Sequence, residues 1–223
     1  SLEDTLVSVL THRPERCEVL VPHAGSYGDP YELHDEVRFL ELPAGTAGTM
    51  LVAKALKMAR GSFVHLLSPG CEVAEGWCDQ AMEYFQDDAL ATVCPLIVDD
   101  TRARTVVCAG VNAGLRGGRL ELGRGLASDS NKLARLQPAG PTAIAAYYRR
   151  AALAHIGGWP TAVGSEFADL DAAMSLARLG YKNALARDSQ VVLRSRVKVR
   201  ESAFARSRNA ERFFLRHRFS VLS

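Results

Sequence analysis

The chain has 223 residues, 48% of them hydrophobic and 23% charged, with 27 Lys and Arg against 25 Asp and Glu. That length suits one domain, the apolar fraction is far above that of a disordered chain, and no run approaches the roughly 20 apolar residues of a membrane-spanning helix. A net charge of +2 speaks against an acidic tail and against a chain-wide basic excess for nucleic acid, and the acids and prolines near the start do not read as a secretory signal.

Ser1 to Leu10 predicts an amphipathic helix, with Ser1 as cap, Glu3 and Asp4 in the first turn, and Leu2, Leu6, Val9 and Leu10 sharing a face. Glu18 to Val21 is a short apolar strand closed by Pro22 and the loop Ala24 to Asp29, and Val37 to Leu40 is a second strand. The loop Pro43 to Gly48 leads into a helix from Thr49 to Ala59, stopped by Gly61. Ser62 to Leu67 is a strand that ends at Ser68-Pro69-Gly70. A helix follows over Glu75 to Phe85, then strands over Ala91 to Val98 and Val106 to Val111. Gly114 to Gly125 is a glycine- and arginine-rich loop. Ala143 to Tyr148 is strand-like, Arg150 to Ile156 a short helix, and Asp169 to Leu179 a helix stopped by Gly180. Alternating short strands and helices predict an α/β fold, a mostly parallel sheet flanked by helices, in a single domain over residues 1–223.

The five cysteines (Cys17, Cys71, Cys78, Cys94, Cys108) are odd in number and contain no C-x-x-C pair. They read as small buried hydrophobes in a reducing, cytoplasmic setting rather than a disulfide scaffold or zinc site. The six histidines are scattered without metal-ligand spacing.

In an open α/β sheet, ligands bind beyond the carboxyl ends of the strands. Three such ends carry information here: Val21 to Ser26, Leu67 to Glu72, and the turn Ile156 to Pro160 running toward Asp169-Leu170-Asp171. Arg149 to Trp159, with its Gly-Gly-Trp, and then Glu166 to Tyr181 resemble family 2 glycosyltransferases. There, Gly-Gly-Phe/Trp precedes a Glu-Asp-x-Asp-Leu motif that opens a helix ending in Gly-Tyr. The match runs without a gap from Asp169 to Gly180-Tyr181. Leu66 to Trp77 is similar to the Leu-Asn-Pro-Asp-x-Glu-Val-x-Pro-Gly-Trp stretch of rhamnosyltransferase-like members. Ala55 to Gly61 and Ser207 to His217 also resemble their segments, so the likeness covers nearly the whole chain.

The resemblance implies a GT-A type fold and an inverting transfer of a sugar from a nucleotide-sugar donor to a saccharide or lipid-linked acceptor. It implies Mg²⁺ or Mn²⁺ on an Asp-x-Asp motif as Lewis acid, and an aspartate as general base. Carried onto this chain, the catalytic positions are Asp169, Asp171 and Glu166. The nucleotide-sugar positions are Ser26, Asp29, Ser68, Gly70 and Glu72, and the acceptor positions Gly157, Gly158 and Trp159. Members open with a strand ahead of the first helix, so residues upstream of Ser1 are expected.

Several positions depart from that pattern. Ser68 and Gly70 stand where the metal aspartates belong, and glycine has no ligand atom. Pro22 replaces the base-reading aspartate, Val52-Ala53 an Arg-Asn pair, Ala168 the motif's glutamate, and Pro160 the aspartate after Gly-Gly-Phe. Arg194 or Ser195 falls where a late histidine is expected. Two readings therefore stay open: an active transferase with an altered or metal-independent donor site, and a non-catalytic binding or scaffolding module. A dehydrogenase-like fold is disfavoured, because no G-x-G-x-x-G follows the first strand. Asp169 has a plainer explanation as well, an acid in a first helical turn where the dipole favours it.

The end of the chain is basic. From Arg194 to Arg218 there are nine Arg and Lys against Glu201 and Glu211, a net +7, leaving −5 for the rest. Leu193, Val197 and Val199 alternate with basic residues as in a half-exposed strand, and the remainder reads as a helix with Phe204, Phe213, Phe214 and Leu215. Such a segment suits a solvated face, diphosphate binding, or peripheral contact with an anionic membrane, with nucleic acid a distant fourth.

Overall fold

The computed structural model describes residues 1–99, 101, 104–114, 118–195 and 202–221. Helix α1 (Leu2–His12) opens on a capping box in which the Ser1 hydroxyl accepts from the Asp4 N–H and the Asp4 carboxylate answers the Ser1 amine. It packs Leu2, Leu6 and Leu10 on β1 (Val19–Ala24) and β2 (Val37–Leu42), which form a separate two-stranded parallel sheet. Helix α2 (Gly48–Met58) then leads to β3 (Phe63–Leu67), the outer strand of the main sheet.

The main sheet has six strands: β3, β4 (Cys71–Glu72), β5 (Leu90–Asp99), β6 (Thr105–Cys108), β9 (Ala145–Arg149) and β10 (Lys182–Leu193), in the order β3-β9-β5-β10-β4 with β6 also on β5. The expected α/β class holds. β10 runs parallel to β5, while β9, β6 and β4 are interleaved antiparallel, which makes the sheet mixed. β5 is buried from Leu90 to Val98, as a central strand must be. Pro95 is tolerated inside it because β5 changes partner there, from β9 at Thr92–Val93 to β6 from Ile97, opposite an irregularity of β10 between Ala186 and Gln190.

Sequence periodicity missed β10, whose Arg187-Asp188 sits in that irregularity and breaks the alternation. Its half-buried Asn183 is satisfied by the Thr92 hydroxyl and the Pro138 carbonyl. The strand predicted beyond Leu193 falls on residues 196–200, outside the described residues. The loop expected over Gly114 to Gly125 contains β8 (Arg119–Glu121), which pairs antiparallel with β7 (Val111–Ala113) just ahead of that loop. The helix expected from Glu75 is shorter, α3 (Asp79–Tyr84), after turns at 75–78.

Helix α4 (Arg150–His155) follows β9, and α5 (Gly164–Arg178) begins five residues before the expected Asp169. It is buried along most of its length because α6 (Ala203–Val221) covers its outer side. Phe213 of α6 stacks on Phe167 of α5 at 5.2 Å between ring centres. Among the described residues, no helix is long and apolar enough to cross a membrane. All five cysteines are free thiols, with Cys71, Cys78, Cys94 and Cys108 buried. Burial pushes Cys71 up to about 12 and Cys78 and Cys108 up to about 11, so these are inert packing groups at neutral pH.

Candidate functional site

The carboxyl end of β3 and the first half of α5 meet through one backbone segment. Ser68 donates its N–H to the Ile144 carbonyl at 2.8 Å and its hydroxyl to the Ala143 carbonyl at 3.2 Å. The Ala143 N–H in turn donates to Asp169 Oδ2 at 3.0 Å. Ser68 and Asp169, 101 positions apart, are thus joined by consecutive hydrogen bonds through Ala143.

Asp169 is 1% exposed and carries a clamp. Arg119 of β8 reaches it with Nε at 3.2 Å to Oδ1 and one terminal nitrogen at 2.8 Å to Oδ2, a two-pronged pair. The same nitrogen of Arg119 donates to the Thr142 hydroxyl, and the other reaches Glu121 at 3.1 Å. Glu121 also accepts from Arg124 at 2.6 Å. The result is an alternating row, Asp169–Arg119–Glu121–Arg124, running from a buried carboxylate to an arginine that is 62% exposed. Burial alone would lower the Arg119 guanidinium, but Asp169 and Glu121 outweigh it and hold it above its ordinary value. Because α5 starts at Gly164, Asp169 lies beyond the first turn, and Arg119 rather than the helix dipole explains it. Glu166 does lie in the first turn, exposed, three residues before Asp169 and so on the same side of the helix.

The Ser68-Pro69-Gly70 turn is closed by the end of β10. Gly70 has φ +88, and its carbonyl accepts from the N–H groups of Arg194 (2.9 Å) and Ser195 (3.4 Å). A Cβ on Gly70 would lie 2.3 Å from the Ser195 carbonyl oxygen and 2.5 Å from its hydroxyl. The volume that a side chain at this position needs is filled by backbone. The Mg²⁺ or Mn²⁺ implied by the resemblance does not suit the residues present here. Among the described residues, no group of three or more His, Cys, Asp or Glu could hold a metal ion. Glu72, next along, accepts from Arg194 Nε at 2.9 Å.

A cleft of about 430 Å³ lies at the carboxyl ends of β5 and β10, walled by Asp99, Thr105, Arg124, Arg194 and Ser195. At the end of β1 sits another polar group. Both carboxylate oxygens of Asp29 are buried without a hydrogen-bond partner among the described residues, and His34 Nδ1 stands 4.0 Å away. His23, Tyr27 and Phe39 form an aromatic cluster in the same region, with Tyr27 stacked on Phe39 at 5.3 Å. Ser26 is exposed in this loop.

The other expected positions are placed differently. Asp171 is fully buried and turned to α6, where it accepts from His217 Nε2 at 2.5 Å and Arg216 Nε at 3.1 Å. Trp159 is 6% exposed and packs edge-on against Tyr148 in the core, so its ring is no open platform for a sugar. Gly157 and Gly158, at φ +84 and +95, form the turn after α4. Arg119, Arg124 and Thr142 were not legible beforehand. Their one signal was the arginine-rich composition of Gly114 to Gly125, which names no partner 50 residues away.

No known family model matches the sequence, and no curated protein is similar to it in sequence. The structure is similar to the mannosyltransferase PcManGT from Pyrobaculum calidifontis in complex with GDP-Man and Mn²⁺, with a TM-score of 0.62 and 17% identity over 98% of this chain and 60% of that one. It is similar to GalNAc-T7 with UDP, GalNAc and Mn²⁺, with a TM-score of 0.74 and 13% identity over 96% and 45% of the two chains. A third likeness is to S. aureus TarS 1-349, with a TM-score of 0.51 and 14% identity over 86% and 56%. The chain spans between 45% and 60% of the length of these structures. Its fold is that of the GT-A nucleotide-sugar transferases.

Proposed function

We propose that this chain is a glycosyltransferase of the family 2, rhamnosyltransferase-like type, which moves a sugar from a nucleotide-sugar donor to a hydroxyl of a saccharide or lipid-linked acceptor with inversion. The observation that carries the reading is the hydrogen-bonded unit Ser68–Ala143–Asp169, which unites the two stretches that resemble the family's donor and base motifs. The shared fold with proteins solved in complex with GDP-Man or UDP supports a nucleotide diphosphate donor.

Asp169 is the group to take the acceptor's proton. The acceptor oxygen then attacks the anomeric carbon, and the bond to the diphosphate breaks with its electron pair leaving on phosphate. Arg119 fixes the orientation of Asp169 and must release one oxygen when an acceptor enters, because the carboxylate is only 1% exposed. The longer 3.2 Å contact of Arg119 Nε to Oδ1 is the one to yield, and Oδ1 keeps the Leu170 N–H at 2.7 Å. Asp29, whose two buried oxygens have no hydrogen-bond partner among the described residues, is the group to receive N–H donors of a nucleobase.

Titration calorimetry with UDP-, GDP- and dTDP-sugars tests the donor. Binding of one of them, followed by transfer that Asp169→Asn abolishes with nucleotide affinity nearly intact, is the expected result. Preserved transfer in that variant removes Asp169 as base, and Glu166→Gln then tests its neighbour. Binding with no transfer to any acceptor supports the scaffolding alternative.

A further inference from the structure

We propose that the donor's diphosphate is neutralised by the guanidinium groups of Arg194 and Arg124 in the cleft at the carboxyl ends of β5 and β10, without a divalent metal. The inference rests on the transferase reading and assigns the anion subsite within it.

The turn that would hold a metal is shut. Gly70 offers no ligand atom, and the end of β10 occupies the space where a side chain would stand. The strand end that shuts it also delivers a permanent cation, since Arg194 follows directly on Leu193 and lines the cleft. The same residue is tied to the turn by its N–H to the Gly70 carbonyl, so the guanidinium is carried on the element that replaced the metal position. Arginine suits this task because its planar fork presents several N–H donors to phosphate oxygens and stays charged.

Arg124, which lines the same cleft, supplies the second cation. Its present partner, Glu121, is shared with Arg119, so Arg124 can turn to a phosphate while Glu121 keeps a counter-charge at 3.1 Å. Thr105 and Ser195 add hydroxyls to the lining. Among the described lining residues Asp99 is the one carboxylate, and Arg194 Nε is held from outside that lining by Glu72 at 2.9 Å. Asp99 Oδ1 accepts from the Thr101 N–H at 3.0 Å and the Thr101 hydroxyl at 2.5 Å, which directs that oxygen into its own turn. A volume of about 430 Å³ falls in the usual range for small-molecule sites. The site also lies beyond the carboxyl ends of the main sheet's parallel pair, where α/β sheets collect ligands. The row Arg124–Glu121–Arg119–Asp169 links it to the proposed base, so charge arriving in the cleft is sensed at the carboxylate.

The test is calorimetric titration of the full chain with UDP, GDP and dTDP, first in EDTA and then in Mn²⁺, with inorganic pyrophosphate as a probe of the anion subsite alone. Binding in EDTA that Mn²⁺ leaves unchanged, competition by pyrophosphate, and a loss of about tenfold or more in each of Arg124→Gln and Arg194→Gln are expected. Affinity for the parent nucleoside should be unchanged in both variants. Arg124 is largely exposed, so its variant separates the effect from misfolding, and circular dichroism checks the other. Binding that appears only with Mn²⁺, or nucleotide affinity untouched in both variants, overturns the proposal while leaving the transferase reading standing. Absence of nucleotide binding in both buffers removes the transferase reading and the inference with it.

Discussion

At Gly70 two physical facts coincide: a left-handed backbone and a neighbour at 2.3 Å from any Cβ. Gly70→Ala should cost about 2–4 kcal/mol in chemical denaturation, from strain and overpacking together. Gly70→Asp should do at least as much harm and create no Mn²⁺ site, which spectroscopic titration with the ion will read. His65 offers a second test. Its ring lies 4.0 Å from Tyr147 and 4.6 Å from Trp77, with both nitrogens buried and unpartnered among the described residues. Burial depresses it from 6.5 to about 3. Between those values the unfolded chain takes a proton that the folded chain refuses. Stability therefore falls as pH drops below 6.5, by up to about 1.4 kcal/mol per pH unit, until about pH 3. His65→Phe keeps an aromatic ring in the stack and should flatten that part of the pH profile of Tm; an unaltered profile would show that His65 is not its source. Neither residue announced itself: a histidine in a strand and a glycine after proline are ordinary until the neighbours are known.

Among the elements, α5 carries two aspartates with opposite assignments. Asp169 faces the β3 end and Arg119, whereas Asp171, two residues on, faces α6. Sequence resemblance placed both in the catalytic set, because spacing along a helix does not say which side is covered. His217→Ala removes a buried partner of Asp171 and should loosen α6 at a cost of about 3 kcal/mol. Hydrogen exchange in α6 should accelerate while nucleotide affinity stays the same. A loss of nucleotide binding equal to that of Arg124→Gln would instead return Asp171 to the binding machinery. Strand β8 was expected as loop because glycines flank it and it has only three residues. Its role, holding Arg119 on Asp169, is entirely long-range.

Across the whole molecule, the near-neutral total conceals a basic end and an acidic body. α6 turns Asn209, Phe213 and His217 inward and leaves Phe204 76% and Leu215 54% exposed, on a face that also bears the exposed Arg208. Peripheral contact with an anionic membrane, one of the roles the basic end suits, would use such a face. Vesicles containing anionic lipid should retain the chain, neutral vesicles should not, and the combined Phe204→Ser, Arg208→Glu variant should weaken retention. Equal sedimentation of chain and variant would dismiss the contact. Binding a nucleotide at 100 times its Kd should also stabilise the fold by about 2.7 kcal/mol, visible as a rise in Tm.

The sequence by itself determined the α/β class and most helix and strand positions up to β9, and it singled out the stretches around Ser68 and Asp169 that the fold joins through Ala143. Those features are written in local periodicity, turn residues and contiguous motifs, which need no partner to be read. Only the tertiary structure decided that Gly70 is sealed by Ser195, that Asp169 is clamped by Arg119, and that Trp159 and Asp171 belong to packing. These are contacts between residues 11 to 125 positions apart. Their energies depend on distance and burial in the folded chain, and nothing in the order of residues along it encodes either.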